Sequence, residues 1–202
     1  MRKILFAMAL GVAALSGAQT LTTLPPNNGS GGIFLDLTPT TNTLSFNSFA
    51  TYFSGAVGLN VSVEVYTRPG SYVGFQTGAA GWTLSQTVTG VAAGTAVKSA
   101  PVVLTTPIIL SAGTTTGIYL HAITSGGGIR YQGTGTTATT TFSNADLTLF
   151  SAHSRTGAIS FGGTLFTPRA FSGDINYSAV PEPATMAALG LGVAALLRRR
   201  RR

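Results

Sequence analysis

Leu59, Val61, Val63 and Val65 alternate with Asn60, Ser62, Glu64 and Tyr66, a strict period of two that a helix cannot bury on one face. Arg68-Pro69-Gly70 then reads as the turn that ends this strand. The same spacing recurs at Ile33, Leu35 and Leu37. Trp82, Leu84 and Val88 fall on one side of a segment whose other side is Thr83, Ser85, Thr87 and Thr89. Further strands are expected over 102–104, 108–110, 118–123, 146–150, 159–161 and 171–177, many of them separated by glycine-rich connections such as Gly126-Gly127-Gly128 and Gly162-Gly163. Between Gln19 and Val180 no stretch has the spacing of an amphipathic helix. The expectation is an all-β domain, a jelly-roll-like β-sandwich of about eight or nine strands.

Composition narrows the function classes. The 202 residues are 8% charged and 44% hydrophobic, which excludes a disordered polyelectrolyte. There is no cysteine, and hence no disulfide scaffold, zinc knuckle, iron–sulfur cluster or thiol nucleophile. The net charge of +7 belongs to the two ends. Between Gln19 and Val180, Arg68, Lys98, Arg130, Arg155 and Arg169 stand against Asp36, Glu64, Asp146 and Asp174, a near balance that offers no basic track for nucleic acid.

The N-terminus has the three parts of a secretory signal peptide: Arg2 and Lys3, a short apolar run from Ile4 to Leu15, and small residues at Ser16-Gly17-Ala18. Residues 1–18 are therefore expected to form a signal helix. Signal peptidase is expected to cut between Ala18 and Gln19, leaving a sandwich domain over 19–179. The apolar run is short of the ~20 residues that span a bilayer.

Residues 180–202 form a second address. Pro181, Glu182 and Pro183 precede an uncharged run ending at Leu197, and Arg198, Arg199, Arg200, Arg201 and Arg202 follow. The arginine cluster cannot cross a membrane and acts as a cytoplasmic stop, which places the rest of the chain outside. The uncharged run, about 14 residues or ~21 Å as a helix, makes a short transmembrane helix against a ~30 Å hydrocarbon core, and such an anchor suits a segment that is recognised and removed.

The Pro-Glu-Pro triplet, the short Gly/Ala/Leu helix and the terminal arginines, in this order, resemble the PEP-CTERM sorting signal of Gram-negative bacteria. The resemblance implies processing by an exosortase, a transpeptidase-like membrane enzyme. It also implies transient inner-membrane anchoring and then a place on the cell surface or outside the cell, commonly in species that make exopolysaccharide. The same tail is sometimes labelled an ice-binding protein C-terminal domain, a name that need not describe the core. In the core, 65–74, 81–84, 144–147 and 168–177 resemble a recurring sandwich domain of bacterial surface and PEP-CTERM proteins, which implies fold rather than chemistry.

The core residues do not group into a catalytic set by sequence. Acid–base chemistry needs paired carboxylates or a partnered histidine. Asp36, Glu64, Asp146 and Asp174 are scattered, Glu64 reads as part of a solvated strand face, and His121 lies mid-strand beside Tyr119 and reads as structural. No Gly-x-Ser-x-Gly elbow is present. Asp36 or Asp146 could supply oxygens to a structural Ca²⁺, though there is no Asp-x-Asp-x-Asp loop; the alternative for Asp146 is a bond to a nearby turn backbone. The threonine clusters at 114–116 and 134–141 show no fixed repeat of the kind an ice-binding solenoid requires. Trp82 is read as core. Tyr66 and Tyr72 flank the Arg68-Pro69-Gly70 turn and are the candidate glycan contacts. The resulting expectation is an exported surface or matrix protein without catalysis and without cofactor. A carbohydrate- or exopolysaccharide-binding module is the alternative, and a hydrolase the third reading.

Overall fold

The computed structural model describes residues 17–29, 31–133 and 139–181. The leader up to Ser16 and the tail from Glu182 onward lie outside them, and with them the expected signal and membrane helices. Among the described residues there is no helix, and every strand pairing is antiparallel. The strands are β1 (Gln19–Thr22), β2 (Asn28–Gly29), β3 (Gly32–Pro39), β4 (Leu44–Thr51), β5 (Asn60–Pro69), β6 (Thr83–Val91), β7 (Val102–Leu110) and β8 (Thr116–Ala122). They continue with β9 (Arg130–Gln132), β10 (Thr141–Ser143), β11 (Leu147–Phe150), β12 (Ser154–Arg155), β13 (Leu165–Phe166), β14 (Ala170–Phe171) and β15 (Gly173–Ala179).

Two sheets make the sandwich. One runs β1-β15-β4-β7, and the larger runs β10-β11-β3-β8-β5-β6, with β12 against β3 and β13 against β12. A short ribbon, β14-β9-β2, closes one side. The inner faces interdigitate as period-two patterning requires. Phe46, Phe49, Leu110 and Ile175 meet Ile33, Leu35, Val61, Val63, Val65 and Leu120, all fully buried. Each such side chain contributes about 1.5–3 kcal/mol by leaving water.

Three expectations about the strands are corrected. Residues 159–161 are not a strand but part of a loop, in which Phe161 has a φ of 59°. The 171–177 segment is broken at Ser172 into β14 and β15. Strand β4 was not anticipated, although Leu44 and Phe46 alternate with Ser45 and Asn47 before a bulge shifts the register.

A fourth correction concerns Trp82. Val63 pairs with Val88 and Val65 with Gln86, but Tyr66 pairs with Leu84, so β6 carries an extra residue at Ser85. Because paired residues share a face, this bulge moves Leu84 and Trp82 to the outer face of the sheet, away from Val88. Leu84 is 47% exposed while Val88 is 6% exposed.

Candidate functional site

The outer face of the larger sheet is not left to solvent. β3 and β8 are buried on both faces, Ile33, Leu35, Ile118 and Leu120 inward and Phe34, Asp36, Tyr119 and His121 outward. Two loops, 70–82 and 156–164, fold over this outer face. Phe34 and Tyr119 of the sheet and Tyr72 of the first loop form a second, aromatic core, with Tyr66, Trp82, Phe150, Phe161 and Leu165 packed around it. Phe34 stacks on Tyr119 with ring centres 4.0 Å apart, and Phe161 lies 4.8 Å from Tyr119 and 5.1 Å from Tyr66. Such pairs add about 0.5–1.5 kcal/mol each beyond area burial.

The polar groups of this face tie the loops down. Asp36 accepts from the Ser71 hydroxyl at 2.5 Å and the Tyr72 amide at 2.8 Å, which pins the start of the first loop. Burial still raises its pKa against those two bonds and the nearby Arg68 charge. Glu64 accepts from the Tyr66 hydroxyl at 2.8 Å and from the Ser160 hydroxyl, which pins the second loop. Arg155, 7% exposed, donates to the carbonyls of Gln76, Gly162 and Gly163 and so stitches both loops together. Tyr119 and His121 are joined hydroxyl to Nδ1 at 2.6 Å, and His121 Nε2 is buried without a hydrogen-bond partner. Burial drives the His121 pKa down to about 4, against the pull of the Glu64 charge. Burial also lowers that of His153.

These placements revise several sequence expectations. Tyr72 is fully buried; its hydroxyl accepts from the Ala152 amide at 2.8 Å and meets His153 Nδ1 at 3.2 Å, so its ring presents no face to a sugar. Tyr66 is half-buried, with its hydroxyl committed to Glu64. The reason is that the segment after Gly70 folds back over the sheet instead of standing out as a turn tip. Glu64 is not a solvated face, since the second loop covers it. At the 144–147 turn the capping side chain is that of Asn144, whose Oδ1 accepts from the amides of Asp146 and Leu147 at 3.0 Å each. Asp174 pairs with Lys98 at 2.6 Å. Among the described residues no three His, Asp or Glu side chains gather as metal ligands would. The covering loops were the feature that sequence reasoning missed, and the outward Phe34 and Tyr119, aromatic where a solvated face would be polar, were the available signal.

At the end of the fold, Ala179 pairs with Leu44, and the Val180 amide donates to the Thr43 carbonyl at 2.8 Å. Gln19 pairs with Tyr177 of the same strand, so both ends of the core emerge at one pole. Pro181 follows at once. A family model described as the PEP-CTERM protein-sorting motif matches residues 179–202. No curated protein and no solved structure matches the chain. The chain thus joins an antiparallel all-β sandwich directly to a PEP-CTERM protein-sorting motif.

Proposed function

We propose that the protein is exported, processed at its tail by an exosortase-type membrane enzyme, and displayed at the cell surface or in the extracellular matrix as a non-enzymatic structural module. The observation that carries this reading is the junction. The motif begins at residue 179, the last residue of β15, an interior strand paired with β4 along its length to Ala179 and with β1 as far as Tyr177. A load on the tail is therefore taken up by the middle of a sheet rather than by a frayed end, which suits a domain held by its C-terminus. The polar side chains of the covered face support the non-catalytic part. Asp36 and Arg155 spend their hydrogen bonds on loop closure, and Glu64 spends its own on Tyr66 and the second loop.

The test is transplantation. Residues 179–202 fused behind an exported reporter should send that reporter to the surface fraction in the native host, at a size that shows loss of the tail. A reporter that remains in the inner membrane at full size would refute the reading.

A further inference from the structure

Arg68 is the cation of the core whose position calls for a ligand. Lys98 is paired with Asp174, and Arg155 and Arg169 donate to backbone carbonyls. The Arg68 side chain has no carboxylate within ion-pair distance and no hydrogen bond among the described residues, and its Nε is buried without a partner. Arg130 and Arg169 share the unpaired Nε, but Arg169 has its Nη1 committed to carbonyls and, among the described residues, no ring lies against Arg130.

The side chain is nevertheless held in place. Its stem crosses Gly117 of β8, where a Cβ would sit 2.7 Å from Arg68 Cγ, so glycine makes the passage. Its guanidinium lies 3.5 Å from the centre of the Phe75 ring and 5.9 Å from that of Trp82. Trp82 is fixed in turn by its indole N–H, which donates to the Phe75 carbonyl at 2.8 Å. The surround is apolar and open: Phe75 is 41% exposed, and Leu84, opposite Tyr66 on the same outer face, 47%. The Asp36 carboxylate bears on it electrostatically and is itself occupied by Ser71 and Tyr72.

We infer that this ledge of Arg68, Phe75, Trp82 and Leu84 binds the carboxylate of a uronic-acid sugar in an acidic polysaccharide. The fork of a guanidinium matches a carboxylate with two parallel hydrogen bonds. Stacking on Phe75 orients the fork before the ligand arrives, which reduces the entropy lost on binding. The exposed ring edges and the Leu84 side chain offer the C–H faces of a pyranose a place to lie. The near-neutral core supplies no long-range field for a polyanion, so recognition is local, and strength must come from many displayed copies engaging one polymer. The ledge itself concerns the core alone; only the multivalent display rests on the sorting reading.

Trp82 is the chain's single tryptophan, so its emission reports this ledge and is blind to polyanion held by the terminal arginines. The full-length chain in nonionic detergent, titrated with trigalacturonate, should show a saturable change in that emission. Arg68→Met keeps the stem over Gly117 and removes the fork; it should weaken the apparent affinity about tenfold. Maltotriose and glycerol phosphate should leave the emission unchanged. If Arg68→Met shifts the melting curve, Phe75→Ala in the exposed loop serves instead and should weaken binding likewise. The inference is overturned if trigalacturonate gives no response or if both variants titrate like the parent. A response to maltotriose would assign the ledge to neutral sugar instead, and one to glycerol phosphate would assign it to a phosphate headgroup; either also overturns it.

Discussion

The side-chain amide of Gln86 on β6 binds the backbone of Thr106 on β7 at both ends, Nε2 donating to the carbonyl at 2.8 Å and Oε1 accepting the N–H at 3.2 Å. β6 ends the larger sheet and β7 ends the smaller, so this one amide bridges two edges that would otherwise offer open backbone to another chain. Gln86→Ala should cost about 1–2 kcal/mol in urea unfolding and raise self-association in sedimentation velocity. An unchanged midpoint with no added association would show that the bridge is incidental.

Tyr72→Phe isolates one buried hydroxyl. The ring packing against Phe34 and Phe150 is kept, while the Ala152 amide loses its acceptor in a buried place. The expected loss is about 1–3 kcal/mol, read from thermal or denaturant unfolding. A neutral substitution would mean that the first loop is not held through this contact.

His121 makes stability depend on pH in a defined direction. Its folded pKa, about 4, lies below the ordinary value of 6.5, so the unfolded chain takes up a proton first as pH falls. The neutral ring's contribution is complete above about pH 6.5 and is lost progressively down to about pH 4. The loss amounts to roughly 3 kcal/mol at most, at 1.36 kcal/mol per pKa unit. His153, also lowered by burial, acts in the same sense. Melting temperature should fall between pH 7 and pH 5, and His121→Asn should flatten that slope. An equal slope in the variant would remove His121 from the explanation.

The sequence makes the inner core legible and hides the outer one. β5, β3 and β8 are visible because Val61, Val63 and Val65, Ile33, Leu35 and Leu37, and Ile118 and Leu120 keep a period of two toward one face. Periodicity says nothing of what covers the other face. Phe34 and Tyr119 occupy positions that read as outward, and only the return of residues 70–82 and 156–164 buries them. The same return turns Tyr72 from a candidate sugar contact into a fully buried pillar. Trp82 was assigned to the wrong face because a single extra residue at Ser85 reverses the alternation, and a one-residue bulge leaves no mark in composition. Arg68 and Pro69 are not a turn but the end of β5, paired with Gly117 and Thr116, and the chain turns only at Tyr72–Phe75; Phe75 and Trp82 lie farther along and meet Arg68 only through the loop's path.

The most direct measurement is fractionation of the native host carrying the chain with Pro181, Glu182 and Pro183 all replaced by alanine. These residues follow immediately on the last core hydrogen bond, from Val180 to Thr43, so the sandwich should be left intact. The substituted protein should accumulate in the inner membrane at precursor size while the parent reaches the surface fraction in shortened form. Arrival of the triple variant at the surface, at mature size and in normal amount, would contradict tail-directed sorting.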